Sequence, residues 1–315
     1  MTVPFYSNQD IVDNISMKEA VELVEKAFCD YAQNKSKMPE KIYLNLPEFH
    51  GDFRAMPAYD SRYNIAGVKW VNSHAQNVKK NMASVSAMLL VNSPETGLPL
   101  AIVEASELTA IRTGAAGAVA VKYCTPKTAK SIAFVGAGVQ ARYQYECIRE
   151  IRSIESVTIM DVHEATAQKL YTFIKEKDSC DVQICTDIEE ATKDRDIIVT
   201  STPVKSPILD KGHVGAHTHI NAIGADAPGK QECSIDLIKS SQIIVDDTDQ
   251  AMHSGDINTA VQDKVFLKQE ILSTLGELLL DSSLIDVNQR SLFDSTGLAV
   301  QDMAMAGYFL EKIRG

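Results

Sequence analysis

A chain of 315 residues is long enough for two domains, because single hydrophobic cores stop growing at roughly 250–300 residues. With 45% apolar and 23% charged residues the composition is that of a globular protein, and a net charge of −11 argues against nucleic acid or an anionic membrane surface as a partner. The opening MTVPFYSNQD lacks the basic and apolar parts of a signal peptide, and no apolar run approaches the ~20 residues needed to cross a bilayer, so a cytoplasmic protein is expected.

The first element in chain order is the helix MKEAVELVEKAFCDYAQNK. It follows Ser16, with Glu19 three places on, which is a capping-box pattern. Strand-like runs come next without long helices between them: KIYLNL, FRAMPA, IAGVKWVN, ASVSAMLLVN and PLAIVEA. They predict an antiparallel or mixed sheet. Four cations lie in these apolar surroundings: Lys41, Arg54, Lys69 and, in TAIRTGAAG, Arg112. Taken singly, each is read either as a stem lying on a wet face or as a partner for an anion. Together they would make a carboxylate-binding pocket, arginine clamping two oxygens and lysine adding a point charge. A helix over 107–122 follows, and its Ala/Gly-rich middle predicts a closely packed neighbour.

From about residue 130 to 247, short β-branched runs recur: SIAFVGAG, VTIMDV, DVQIC, DIIVTSTP, HINAIGAD and SQIIVDD. Helical segments such as QARYQYECIREIRS and EATAQKLYTFIKEKD separate several of them. Buried strands alternating with helices predict a doubly wound parallel sheet, an α/β Rossmann domain. The expected division is 1–124 with 297–315 as an α+β substrate-binding and dimerisation domain, and 125–296 as the Rossmann domain.

In SIAFVGAGVQAR, Gly136 supplies a tight turn, Gly138 lets backbone approach a pyrophosphate, and Ala141 lets helix pack on strand. Alone this pattern is weak, but Asp161 ends the next strand 23 positions past Gly138. An acid there bonds the ribose 2′-hydroxyl of NAD and repels the 2′-phosphate of NADP. His163 beside it keeps NADP as the secondary possibility. In NAIGADAPGK, Asp226 lies just past a strand end, where open α/β sheets bind ligands. Such an aspartate is either a turn former or a proton-transfer group. In LFDSTGLAVQD a strand ends at Ser295-Thr296-Gly297 and a helix follows, leaving N–H groups that capping is expected to use and that a ligand would contact in addition. The tail GLAVQDMAMAGYFLEKI is an amphipathic helix expected to return to the first domain. Six scattered cysteines form no CxxC pair, the histidines form no HExxH pattern, and no metal is expected.

With those segments in hand the chain resembles the ornithine cyclodeaminase/mu-crystallin family over nearly its whole length. The supporting segments are GVKWVNSH, VNSPETGLPLAIVEA, LTAIRTGAAG, FVGAGVQA, HINAIGADAPGKQE and LFDSTGLAVQD. The family holds ornithine cyclodeaminases, archaeal-type alanine dehydrogenases, imine reductases and hormone-binding mu-crystallins. The resemblance implies a homodimer joined through the first domains' sheets. It also implies carboxylate binding by Lys41, Lys69 and Arg112, acid/base catalysis by Asp226 with Lys69 in support, and a substrate contact at Thr296. Dinucleotide contacts are implied at Ser84, Val139, Gln140, Asp161, Thr202, Ile223, Gly224, Lys230 and Ser295, with Thr113, Gly136, Gly138 and Gly297 completing the expected set. Cyclodeaminases resemble this chain around MPA but carry glutamate where Arg54 stands, as suits a distal ammonium. Arg54 therefore favours a small amino acid, or one with a neutral or acidic side chain. The expected reaction is NAD-dependent, reversible oxidative deamination of such an amino acid, alanine first, to a 2-oxo acid. Ornithine cyclodeamination, ketimine or pyrroline-2-carboxylate reduction, and non-catalytic binding are the alternatives.

Overall fold

The computed structural model describes residues 2–314. The chain forms two compact units, Met1–Arg112 with Leu298–Gly315, and Thr113–Gly297. The division falls inside the helix Ser106–Cys124 rather than at 124/125. Its physical cause is the small-residue stretch of that helix. A Cβ on Gly114 would overlap the Tyr143 carbonyl and one on Gly117 the Gln144 amide, so these turns pack on the second unit.

The first unit holds β1 (Phe5–Tyr6), β2 (Ile42–Leu46), β3 (Gly51–Asp60), β4 (Ile65–His74), β5 (Val85–Asn92) and β6 (Pro99–Glu104). They form one sheet in the order β1-β6-β5-β4-β3-β2, antiparallel except for β1 beside β6. Side chains alternate across it, as the two-residue period of a strand requires. Arg54, Met56 and Ala58 of β3, Lys69 and Val71 of β4, and Ala87, Leu89 and Val91 of β5 point to one buried face. The helices Met17–Ala32 and Ala299–Arg314 pack on each other, and the latter packs on β3 and β4. Ser16 and Glu19 form the expected capping box. A second box, from Ser7 and Asp10, starts the helix Asn8–Asn14, which the sequence reading passed over. The opposite face of the sheet carries Ile42, Leu44, Phe53, Trp70, Met88 and Leu90. Ile42 is 67% exposed, and Phe53 stacks on Trp70 at 5.4 Å between ring centroids.

The second unit is the doubly wound sheet. Its strands are β7 (Ser131–Val135), β8 (Ser156–Met160), β9 (Asp181–Ile184), β10 (Ile197–Thr200), β11 (His219–Ala222), β12 (Gln242–Val245), β13 (Ile271–Thr274) and β14 (Ser291–Asp294). All run parallel in the order β13-β12-β14-β11-β10-β7-β8-β9. Most are enclosed on both faces, which is why they read as continuous apolar runs. The chain leaves β7 for β8 and β9, then returns to β10 on the other side of β7. The loops after β7 and β10 therefore flank a topological switch point. Among the described residues no helix is long and apolar enough to cross a membrane.

Phe134, in β7, is fully enclosed and meets Tyr145 edge-on at 6.3 Å. Phe134→Ala is expected to cost about 3–5 kcal/mol through lost burial and a residual cavity. Urea unfolding followed by circular dichroism measures it, and a loss under about 1 kcal/mol would contradict this packing.

Candidate active site

The glycine loop follows β7. Gly136 has φ +91° and its N–H donates to the Met160 carbonyl at 2.8 Å, so the turn needs a residue without a side chain. A Cβ there would also press on Thr202. Gly138 caps the helix Val139–Ile148 without a side-chain cap, and a Cβ on it would meet no protein atom within 4 Å. No crowding by the protein explains that second glycine, and the helix start has amides to offer a phosphate. Val139, the first helical residue, is 66% exposed, and Gln140 follows with its amide oxygen buried and unpartnered. Asp161 lies across the loop: one carboxylate oxygen accepts from the Ala137 N–H and the other from the His163 N–H, both at 2.8 Å. The carboxylate is thus aimed by the loop itself. These residues fit a dinucleotide with a free ribose hydroxyl pair.

The carboxyl ends of β10 and β11 are tied together by Glu232. This fully buried carboxylate accepts from the Thr200 hydroxyl (2.8 Å), the Thr202 N–H (2.6 Å) and hydroxyl (2.7 Å), and the Gly224 N–H (2.7 Å). Ile223 continues β11 by donating its N–H to the Thr200 carbonyl at 2.9 Å. Thr202, Ile223 and Gly224 are brought together as expected cofactor contacts, whereas Thr113 contributes its carbonyl to Gln144 at 2.9 Å. Glu232 was missed by sequence reasoning, although it closes the same segment as Asp226. A buried glutamate six residues after an aspartate in a Gly/Pro loop has no local pattern that marks it.

Asp226 stands on the loop that starts at Gly224, with its side chain about one-third exposed, and pairs with Lys230 at 2.6 Å. Asn258 anchors the far side of the loop, accepting from the Gly229 N–H (3.1 Å) and donating to the Lys230 carbonyl (2.9 Å). Lys230, expected on the dinucleotide, is here the counter-ion of Asp226.

In the Ser295-Thr296-Gly297 segment the N–H groups have acceptors within the protein. Ser295 donates to the Ala222 carbonyl at 3.0 Å, while Thr296 and Gly297 donate to Asp246 at 2.7 and 2.6 Å. The Thr296 hydroxyl also gives its proton to Asp246, at 2.7 Å, so toward a ligand it presents lone pairs. Gly297, at φ +81°, turns the chain. His219, in β11, has both ring nitrogens engaged, by Ser291 and Asn221, and burial holds it neutral with its pKa lowered to about 4.

In the first unit Lys69 is completely enclosed, and its Nζ lies 2.6 Å from Asp302 Oδ2 of the C-terminal helix. Arg112 reaches the other oxygen of Asp302 through Nε at 3.3 Å and Gln301 Oε1 through Nη1 at 3.4 Å. Burial lowers the Lys69 pKa to about 7; Asp302 opposes the shift, while Arg112 and Lys41 add to it. Three of the four cations thus share one electrostatic neighbourhood. Arg54 lies on the same sheet face but is clamped by Asp52, at 2.6 and 3.2 Å, and stacks over Tyr43. Its charge is therefore offset within its own strand. Ser84 belongs to this first unit, where its carbonyl accepts from the His74 N–H at 2.7 Å.

A doubly wound sheet with a glycine turn, an uncapped helix start and an aimed acid defines a Rossmann-type protein. The family model for ornithine cyclodeaminase/mu-crystallin matches residues 3–315, and the chain belongs to that family. It is 43% identical to the alanine dehydrogenase of Archaeoglobus fulgidus over 95% of this chain and 92% of that protein. Among solved structures, an archaeal alanine dehydrogenase dimer with bound NAD superposes with a TM-score of 0.94 at 40% identity, over 100% of this chain and 97% of the other. The Δ1-pyrroline-2-carboxylate reductase of Thermococcus litoralis, in complex with NADH and L-proline, gives 0.95 at 32% identity, over 99% and 98%.

Burial, and then the neighbouring Asp256, raises the Glu232 pKa from 4.5 to about 7 against the hydrogen bonds from Thr202 and Thr200. Burial likewise raises Asp256 from 3.8 to about 6. Both hold a proton more tightly folded than unfolded, so their contribution is full below the unfolded values and is lost as pH rises through the folded ones. The urea midpoint should therefore fall between about pH 5 and about pH 7.5, and Glu232→Gln should flatten that fall. A midpoint that rises over this range in the unaltered protein would contradict the assignment.

Proposed function

We propose that this protein catalyses the reversible NAD-dependent oxidative deamination of a small L-amino acid, alanine foremost, to the 2-oxo acid and ammonia. The observation that carries the reading is Asp226: a carboxylate on an anchored loop at the carboxyl end of a Rossmann strand, where a proton-transfer group belongs. The 43% identity to an alanine dehydrogenase supports the substrate class. Asp161 supports NAD over NADP, because its carboxylate would repel a 2′-phosphate.

NAD, when bound, supplies the hydride acceptor for the substrate's Cα hydrogen. Gly136, Gly138 and the start of the helix Val139–Ile148 would hold its phosphates, and Asp161 its ribose. Lys69, Arg112 and Lys41 bind the substrate carboxylate. As the Cα–N bond gains double-bond character, the same cations lower the energy of the carboxylate-bearing imine. Thr296, with its hydroxyl proton committed to Asp246, accepts a hydrogen bond from the substrate amine. Asp226 takes the amine proton and passes it to solvent; ionised again, it removes a proton from the water that adds to the imine carbon, gives that proton to the nitrogen, and takes the hydroxyl proton as ammonia leaves. Lys230 lies 2.6 Å from Asp226 as its ion-pair partner. Arg54, neutralised by Asp52, places no strong demand for an acidic side chain, and a small neutral one suits the site best.

The same reading includes a homodimer, as in the archaeal alanine dehydrogenase. Ile42, Leu44, Trp70, Met88 and Leu90 form an exposed apolar sheet face that a second copy would cover. Charging it with Leu44→Lys and Leu90→Lys should give monomers in sedimentation velocity, and an unchanged dimer would place the interface elsewhere.

Asp226→Asn should lower turnover of L-alanine by ~10²-fold or more, because the amide cannot take up a proton, while NAD affinity persists. Absorbance at 340 nm reads the first quantity and calorimetry the second. Unchanged turnover would remove Asp226 from the mechanism. Release of ammonia from L-ornithine without net NADH would favour a cyclodeaminase.

A further inference from the structure

We propose that Asp302 is the positioning residue of the substrate-carboxylate site, a shared counter-ion that sets where Lys69 and Arg112 point. The proposal rests on the reading of those cations as carboxylate ligands. Asp302 is fully buried on the C-terminal helix, and each of its oxygens serves a different cation, Oδ2 taking Lys69 at 2.6 Å and Oδ1 taking Arg112 at 3.3 Å. The three groups come from three separate elements: β4, the helix Ser106–Cys124 and the helix Ala299–Arg314. Among the described residues Asp302 is the one acceptor that both cations share, while Gln301 of the same helix also accepts from Arg112 at 3.4 Å, so the carboxylate links the two cations.

Charge makes the arrangement specific. Lys69 and Arg112 against one anion leave a positive excess, to which Lys41 adds, and that excess attracts a substrate carboxylate. Without Asp302 two positive groups would repel in an enclosed space, and a buried charge without a partner is costly. Lys69 has three N–H donors and Asp302 is its one acceptor among the described residues, so the ammonium retains donors for a second anion. The other charged groups on its sheet face are Arg54, already paired with Asp52, and Asp60 at the far end of β3, opposite Ile65; β5 adds only the apolar Ala87, Leu89 and Val91, and Lys41 acts on it from ahead of β2. Asp302 therefore supplies the attraction that opposes burial and keeps Lys69 charged near neutral pH.

Asp302→Asn keeps the shape and removes the charge. The kcat/KM for L-alanine at neutral pH should fall ~10- to 100-fold, mostly in KM, with NAD affinity unchanged. The alkaline limb of kcat/KM should move to lower pH, since Lys69 loses its proton more readily without the anion. Asp302→Glu should restore part of both. In the free protein carrying 13Cε-labelled lysine, the Lys69 resonance, identified by its loss in Lys69→Arg, should titrate at lower pH in Asp302→Asn. A Lys69 midpoint that stays or rises, or a loss confined to kcat, overturns the proposal. The titration needs no turnover, so it decides the role of Asp302 even if L-alanine is not a substrate. If Asp302→Asn does not fold, Asp302→Asn with Lys69→Met, which removes the ammonium as well, should fold; failure of the double variant to fold also overturns it.

Discussion

Four enclosed carboxylates hold the carboxyl edge of the parallel sheet, and the loops that would carry the chemistry depend on them. Glu232 gathers the ends of β10 and β11; Asp256 takes the N–H groups of Glu232 and Cys233; Asp294 takes those of Asp256 and Ile257; Asp246 takes those of Thr296 and Gly297. Where strands end, their ladder partners end too, and the next amides need acceptors. A carboxylate offers two oxygens and can serve several donors at once, which a serine or a backbone carbonyl does less well. The cost is desolvation, visible in the raised pKa values of Glu232 and Asp256. What results is a rim on which Thr202, Gly224 and the Asp226 loop are located by charge-assisted bonds rather than by packing alone.

The first unit uses the complementary arrangement. There two enclosed cations, Lys69 and Arg112, share one enclosed carboxylate, Asp302. Anionic residues near the cofactor loop orient backbone, while cationic residues on the sheet keep a net positive charge for a ligand. Asp161 belongs to the first kind, since the Ala137 and His163 amides fix its oxygens before any ribose arrives. Arg54 shows why a cation in sequence is not yet a cation in effect: Asp52, two residues earlier on the same face, offsets it. The expectation that Arg54 welcomes an acidic side chain weakens accordingly.

Much of the fold was legible. Short β-branched runs marked β7 to β12 because a strand buried on both faces is apolar throughout. The glycine turn and Asp161 were legible because that site is built within one strand-turn-helix-strand unit. Other features were not. β13 lies in QEILSTLGELLL, whose leucines suit a helix as well as a strand. The two-residue β1 is too short to have a period. That Ser295-Thr296-Gly297 would be capped was legible, but nothing local shows that Asp246, some fifty residues earlier, takes two of its amides.

The sequence by itself determined the kinds of element, the glycine turn with its acid, and the cations available to a carboxylate. Each of these is a property of neighbouring residues, governed by strand and helix periods and by backbone freedom. Only the tertiary structure decided that β14 enters the sheet between β11 and β12, that Glu232 joins two strand ends, and that Asp302 meets Lys69 and Arg112. The last two contacts span 233 and 190 residues of chain. Buried charges take whichever partner folding encloses with them, and no local pattern records which partner that is.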